Sequence, residues 1–374
     1  MPALITFLCL IAFASGTARA DEARFVDPAE NLATVFDLIG ERLALMPAVA
    51  AWKFHNSRPV VDEARERTVL DATVERARAM GIDPDPARAL FVLQIELARE
   101  IQTKSIDDWR SGRAGPPAAR DLDSDLRPAL DDIGARLLRS IYLALPDLHR
   151  PDFASGTAAR AGRVRLLRDR LISPDDADRI VGALAALRST PVPALSRIRA
   201  SGMLRVGTTG DYAPFSSDAG GVLAGADIES ARHLAKSLGV TAHFIRTTWP
   251  TLMPDYRANR FDVAMSGISI TPERSAEAAF SGSYHRGGKT PIVRCGREAQ
   301  LDTLEEIDQP GIRVVVNPGG TNERFDRAHI KSADIQVYDD NVTIFDEIAK
   351  GNADLMMTDA SETRYQQKRH PGVL

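Results

Sequence analysis

Cysteine is all but missing from this chain: two residues, Cys9 and Cys295, among 374. No disulfide framework and no cysteine-rich metal site can be built within it. The seven histidines are scattered, with no pair at metal-ligand spacing. A phosphate-cradling loop of the Walker type is lacking, so no cofactor is implied. A net charge of −4 argues against nucleic acid as a bulk partner. It leaves room for a local cationic pocket that takes a small anion. Long hydrophobic runs are lacking too, and no low-complexity tract interrupts an ordinary globular composition.

The one continuous apolar stretch, "LITFLCLIAFA", is too short to span a bilayer. It is followed by "ARA" before Asp21, a small-x-small cleavage pattern, so residues 1–20 are expected to be a secretory signal and the mature chain periplasmic. No Lys or Arg precedes the run, and the competing reading is a buried N-terminal helix of a cytosolic protein. Cys9 lies inside the run and not at the cleavage point, so no lipid or other stable membrane anchor is expected. Cleavage would leave Cys295 alone.

A chain of this length is expected to form two domains, and its patterning changes once. Residues 21–188 read as all-helical. Asp27 with Pro28 opens the first helix, and a second fits Asp62 to Met80, closed by Gly81. A third runs from "DPDPARAL" to about Trp109, and a fourth follows "DLDSDLRP" to about Tyr142. "TAARAGRVRLLRDRL" and "SPDDADRIVGALAAL" supply two shorter ones. The Pro-bearing stretch 189–196 reads as a linker. From 197 to 374, short β-type runs such as "MLRVGTTG", "FDVAMSG", "IRVVVN" and "ADLMMTD" alternate with helical segments, the α/β signature.

The apolar stripe of the first helix is Leu32, Val35, Ile39, Arg42, Met46, Val49, Lys53. Its steps of three and four define one face, so two cations point into a seam. At about 100° per residue, Arg42 and Lys53 share that face roughly 16 Å apart along the axis, unless Pro47 kinks the helix. Unpaired buried cations are costly, so the seam must contain anions. Asp62 or Glu66 could close structural ion pairs with them. Yet Arg65, Arg127 and the amides Gln94 and Gln102 join the same surroundings, leaving positive charge in excess, which suits a small dicarboxylate.

"ERLALMPAVAAWK", "RPVVDEARE", "LQIELAREIQ" with "DDW", and "DLRPALDDI" resemble the secreted, all-helical chorismate mutases of the gamma subclass. The resemblance covers about residues 30 to 145. It implies that Arg42, Arg65 and Arg127 hold the two carboxylates of chorismate and that Lys53 and Gln102 donate to the ether oxygen of the breaking bond. Asp62 and Glu66 would orient Lys53 and meet the ring hydroxyl. The rearrangement to prephenate is pericyclic and needs fixed donors, with no nucleophile, base or metal. Ala98 departs from the pattern, standing where relatives usually have Ser or Thr. Gln102 donates at every pH, so turnover is expected to stay flat from about pH 5 to 8.

In the second half, "VVVNPGGTNERF" reads as a strand, a turn and a helix start whose amides could bind an anion, or as an ordinary turn. Ser266, Thr271 and Arg274 follow one strand. Asp359 and Glu362 end another, where a solvated carboxylate at a helix start is the plainer reading of Glu362. "VGTTGDYAPF", "TTWPTLM", "FDVAMSGISI", "GGKTPI", "DNVTIFDEI" and "ADLMMTDASE" resemble the two-lobed extracellular solute-binding proteins of the amino-acid-binding type. They are most similar to enzymes on that fold, the periplasmic cyclohexadienyl dehydratases. By the resemblance Glu362 would be the general acid, kept neutral by enclosure and Asp359. Lys289, Arg274, Asn317, Thr321 and Asn322 would hold carboxylates, Asp211 and Trp249 would line the ring side, and Ser266 would complete the substrate site with Asp359. In amino-acid-binding relatives an acid near Asp359 pairs with the ligand ammonium instead.

Relatives of this kind continue for tens of residues beyond the position of Leu374 to complete the first lobe. They often carry a cysteine shortly after the position of Cys295, so the α/β unit is expected to be truncated and Cys295 to lack its partner. The chain is thus expected to be multidomain, an all-α mutase followed by an α/β two-lobed periplasmic-binding-protein-like domain. It would convert chorismate to prephenate, and prephenate or arogenate onward, with a homodimer through the helical unit left open. The alternative is a mutase fused to a transport receptor that binds an amino acid without turning it over.

Overall fold

The computed structural model describes residues 22–374 except residue 119, so the expected signal at 1–20 lies outside the described residues. Asp27 accepts from the amides of Ala29 and Glu30 at 2.8 and 3.2 Å, and Pro28 sets the first helical residue of α1 (Pro28–Ala44). The first helix does not run unbroken to Lys53. It stops at Ala44, and α2 (Met46–His55) starts after Leu45 with Pro47 in its first turn. A proline has no amide to donate to the preceding turn, and the chain meets this by beginning a new helix.

Asp62 caps α3 (Glu63–Ala79), and Asp83 with Pro84 opens α4 (Pro84–Arg110). A π-helical turn, Leu122–Leu126, leads into α5 (Arg127–Leu148). This helix outruns its expected end near Tyr142, because Ala144, Leu145 and Leu148 are also buried. Two shorter helices, α6 (Thr157–Leu166) and α7 (Pro174–Ala186), follow, the latter opened by a reciprocal Ser173–Asp176 cap. Helix α1 packs on α5 and α6, while α4 packs on α2, α3 and α7. Val35, Ile39, Leu90, Leu97 and Leu137 form the middle of one core. Gly162 lets the Phe36 ring lie where a Cβ would otherwise stand.

The expected linker is shorter than 189–196, because α8 (Ala194–Ser201) already begins at Ala194. Beyond it come β1 (Met203–Thr208), β2 (Asp211–Tyr212), β3 (Ser216–Ala219), β4 (Val222–Ala224), α9 (Ala226–Ser237), β5 (Thr241–Arg246), α10 (Leu252–Arg257), β6 (Val263–Ala264) and α11 (Pro272–Ser275). The chain continues through β7 (Lys289–Val293), α12 (Leu304–Ile307), β8 (Arg313–Val316), α13 (Thr321–His329), β9 (Asp334–Val337), α14 (Ile344–Lys350), β10 (Leu355–Asp359) and α15 (Ala360–Arg369). One parallel sheet has the order β5–β1–β6, and a second has β7–β10–β8–β9 with β7 antiparallel. Separate apolar cores under the two sheets make two lobes. Asp211 and Tyr212 form β2 of a small antiparallel sheet with β3 and β4. Among the described residues no helix is long and apolar enough to cross a membrane.

Two features join the helical and α/β units. Residues 23–26, expected to belong to the helical unit, pair instead with the first lobe: Leu223 donates to the Ala23 carbonyl at 2.7 Å and Val26 to that of Phe244 at 2.8 Å. The Phe25 ring lies under the Arg246 guanidinium at 3.8 Å. The helical unit is thus inserted between this strap and β1. At the other connection Asp262 takes Arg205 and Arg197 at 2.8 and 2.6 Å, and Arg205 stacks on Tyr142 of α5 at 4.6 Å. Burial works against the Asp262 charge, but the two guanidiniums outweigh it and hold its carboxyl below the usual range.

Candidate functional sites

Helices α1 to α5 enclose a cavity of about 140 Å3 lined by Arg42, Lys53, Asp62, Arg65, Glu66, Gln102 and Arg127, seven of the eight polar residues singled out in the helical half. Met46, Val49, Val69, Ile95, Ala98, Leu122 and Leu130 form its apolar walls. Gln94 is not among the lining residues. It is wholly buried, and its amide has no hydrogen-bond partner among the described residues. Two charged residues that the patterning did not single out also line the cavity, Arg99 and Asp131. The signals were local: Arg99 precedes Gln102 by three residues and Asp131 follows Arg127 by four, each on the same helical face as its neighbour.

The acids do not meet Lys53 as expected. Its Nζ donates to the Val60 carbonyl at 2.5 Å, in the loop between α2 and α3. Asp62 is occupied as the cap of α3, accepting from the Arg65 amide at 3.2 Å. Glu66 is held by Arg99, whose Nε donates to it at 3.1 Å. Both acids still act on Lys53 through space: burial lowers its ammonium below the ordinary value, and Glu66 and Asp62 oppose that. Gln102 spends one N–H on the Ala98 carbonyl at 3.0 Å and turns the other toward the Met46 sulfur at 3.6 Å, a weak acceptor. That second N–H is free to serve a better acceptor in the cavity. Five cations and three acids line the space, a surplus of two positive charges suited to a dianion.

Between the lobes of the α/β unit lies a narrow space of about 20 Å3 lined by Tyr212, Trp249, Asn317, Thr321, Asn322, Asn341 and Asp359. Contacts from both lobes close it. Tyr212 donates to Asp359 at 2.5 Å, Asn341 to the Asp211 carbonyl at 2.9 Å, and Trp249 Nε1 to the Asp211 carboxylate at 3.1 Å. The Gly-Gly turn is needed here, since Gly319 has φ +77° and a side chain would strike Pro250. Lys289 reaches Asp359 at 3.0 Å and Thr321 at 3.0 Å, and it also bonds Asn322.

Glu362 lies behind this wall and does not line it. It is 1% exposed and accepts from Thr358, which in turn accepts from Asn322 at 3.2 Å. The solvated carboxylate that its position suggested is therefore corrected. Burial pushes the Glu362 carboxyl up to about 8, aided by the Asp359 and Asp211 charges against Thr358 and Lys289. Thr358 and the wholly buried Asp326, one turn after Asn322, were not singled out from sequence. Burial pushes Asp326 up to about 7, and neither of its oxygens has a partner among the described residues.

Two other expected residues stand apart. Ser266 is buried and engaged by Thr208, Thr209 and Ser216, so it braces the first lobe and does not face the cleft. Arg274 donates to the Ser269 carbonyl at 3.0 Å and lines a larger cavity of about 670 Å3. That cavity adjoins the cleft through Tyr212, Gly267, Ser269 and Asp359. Cys295 is exposed and free.

Comparison with known proteins places both halves. Residues 33–103 match the family of chorismate mutases type II, and residues 204–367 match the bacterial extracellular solute-binding proteins, family 3. A cyclohexadienyl dehydratase of Pseudomonas aeruginosa is 54% identical over 197 residues, covering 51% of this chain and 73% of the relative. The L-cystine-binding protein TcyJ of Escherichia coli is 31% identical over 166 residues, 44% of this chain and 62% of the relative. An ancestral amino acid-binding protein of known structure, a precursor of cyclohexadienyl dehydratase, is 36% identical, with a TM-score of 0.47 over 49% of this chain and 80% of its own. With a helical chorismate mutase type II domain inserted ahead of its first parallel strand, the chain belongs to the bacterial extracellular solute-binding proteins of family 3.

Proposed function

We propose that the chain is a bifunctional enzyme of aromatic amino acid biosynthesis, turning chorismate into prephenate in the helical cavity and dehydrating and decarboxylating prephenate, or arogenate, in the α/β cleft. The observation that carries the reading is a pairing: seven of the expected polar residues converge on one cavity, six of them in the segment matching chorismate mutases, next to a half that is 54% identical to a dehydratase. The product of the first reaction is the substrate of the second.

In the helical cavity Arg42, Arg65 and Arg127 would hold the substrate's two carboxylates and fold it for reaction. Lys53 and the second N–H of Gln102 would meet the negative charge that builds on the ether oxygen in the transition state. Asp62 and Glu66 oppose, through space, the lowering of the Lys53 ammonium by burial. In the cleft, Glu362 would protonate the departing ring hydroxyl, which leaves as water. The bond to the ring carboxylate breaks, its electron pair completes the aromatic ring, and CO2 departs. Lys289, Asn317, Thr321 and Asn322 would hold the carboxylates. A carboxyl near 8 stays protonated at neutral pH. Reaching substrate requires the Tyr212–Asp359 and Asn341–Asp211 bridges to part. Asp211 would act from behind the cleft wall by holding the Trp249 ring.

The leader pattern of residues 1–20 supports export to the periplasm, and a homodimer through the helical unit is testable by sedimentation. The deciding experiment supplies chorismate and, separately, prephenate to the purified mature chain and identifies the products. Phenylpyruvate from both is expected. Prephenate accumulating from chorismate while added prephenate stays intact would reduce the chain to a mutase. Untouched chorismate would overturn the assignment of the helical cavity.

A further inference from the structure

The helical cavity holds more carboxylate than its proposed chemistry uses. Asp131 lines it, and its Oδ2 stands 3.8 Å from Arg65 Nη2. It is also the acid that acts on Arg42, whose Nε is buried with no hydrogen-bond partner among the described residues. Asp123, four residues before Arg127, forms an ion pair with that arginine. Arg65 and Arg127 are therefore each paired with an acid of α5 or the π-turn, and Asp131 also acts on Arg42 through space.

Those two acids, of which only Asp131 lines the cavity, differ from Glu66 and Asp62. The Asp131 and Asp123 side chains are 61% and 69% exposed. Such carboxylates return to water at little cost, and their ion pairs are weak. Glu66 is 21% exposed and bonded to Arg99 by two guanidinium nitrogens, which fixes it in place. Asp62 is tied to the start of α3.

We propose that Asp131 and Asp123 are internal counter-ions of the carboxylate-binding arginines, displaced when a dicarboxylate enters, so that they set the affinity of the cavity and not its rate. This rests on the mutase reading. The acids stabilise the empty cavity, where Arg42 would otherwise lack a countercharge. A bound dianion replaces them, and Asp131 then stands as a like charge beside it. Removing either negative charge makes the empty state less stable and the filled state easier to reach. The breaking bond is attended by Lys53 and Gln102, so turnover at saturation does not change.

The test uses the full mature chain as Asp131→Asn and as the Asp123→Asn/Asp131→Asn pair, with Asp132→Asn as control. Asp132 carries the same charge one residue away but pairs with Arg136 and does not line the cavity. The expected result is a KM for chorismate lowered about three- to tenfold in the single and further in the double variant, with kcat within about twofold, the fold-change corresponding to loss of one or two weak competing pairs. The control leaves KM unchanged. A second readout does not need catalysis: thermal unfolding with and without an oxabicyclic dicarboxylic acid shaped like the folded transition state. The variants should melt lower than the unaltered chain when free and gain more from the ligand, so that the liganded forms converge. An unchanged or raised KM, with equal or smaller gain from the ligand, would overturn the proposal and make the acids structural supports of the arginines. If the unaltered chain neither consumes chorismate nor binds the dicarboxylate, the mutase reading fails and the counter-ion proposal falls with it. An active chain with insensitive variants defeats the counter-ion proposal alone.

Discussion

At the scale of single residues, the two proposed reactions ask opposite things of burial. Lys53 must keep its charge while partly buried, and Glu362 must lose its own. The first is managed by Glu66 and Asp62 nearby, the second by enclosure beneath Thr358. Replacing Lys53 with Ala should lower mutase kcat about a hundred- to a thousandfold, the usual effect of deleting a preorganised donor to a developing oxyanion. Denaturant unfolding should shift little, because Lys53 gives its hydrogen bond to a loop carbonyl and not to a buried acid. A large stability loss at unchanged rate would make it a structural ion. For Glu362, the carboxyl lies at about 8, well above its ordinary 4.5. The protonated acid is the working form, so kcat/KM for prephenate should hold from neutral pH and fall as pH rises through about 8. Glu362→Gln should abolish that limb and cost about a hundredfold or more in turnover. Residue identities were largely legible in the sequence here, since periodicity put Arg42 and Lys53 on one face. What Lys53 bonds to was not, because Val60 and Glu66 approach it only after α2 and α3 fold back on each other.

At the scale of elements, capping residues wrote four helix starts of the helical half into the sequence: Asp27, Asp62, Asp83 and Ser173 each sit where a helix opens. The joint at Leu45 follows from Pro47, a local feature, whereas the strap at residues 23–26 depends on partners far along the chain that local pattern cannot show. The strap makes a specific prediction. Phe25 packs under Arg246 and against Gly210, so Phe25→Ala should destabilise the chain by about 1–3 kcal/mol through lost apolar burial and cation–π contact. Dehydratase activity should fail at lower temperature than in the unaltered chain, while mutase activity measured at 25 °C stays intact. Equal thermal loss of both activities would mean that the strap serves the whole chain and not the first lobe.

At the scale of the whole molecule, the units are joined by burial of charge. Arg205 and Asp262 are 3% and 0% exposed, and Arg205 also covers Tyr142 of the helical unit. Asp262→Asn would leave a buried guanidinium without its countercharge, and the expected loss is about 3–5 kcal/mol by denaturant titration. Both activities should be lost together, since Arg205 lies on β1, the central strand of the first-lobe sheet, and also covers Tyr142 of α5. Retention of full stability would show that Tyr142 and the Asn259 carbonyl, which accepts from Arg205 at 2.9 Å, suffice to hold it.

The amino-acid sequence by itself determined the two halves, the helical face that carries the cationic residues, and the strand end that carries Asp359, with Glu362 just beyond it. These follow from periodicity and capping, which act within a turn or a strand. Only the tertiary structure decided that Glu362 is buried, which pushes its carboxyl up to about 8, that Ser266 braces a lobe, and that Asp131 and Asp123 pair with Arg65 and Arg127. It also decided that the helical unit sits between a strap and its sheet. Each of these depends on how much water remains beside a group, and that is set by elements distant in sequence.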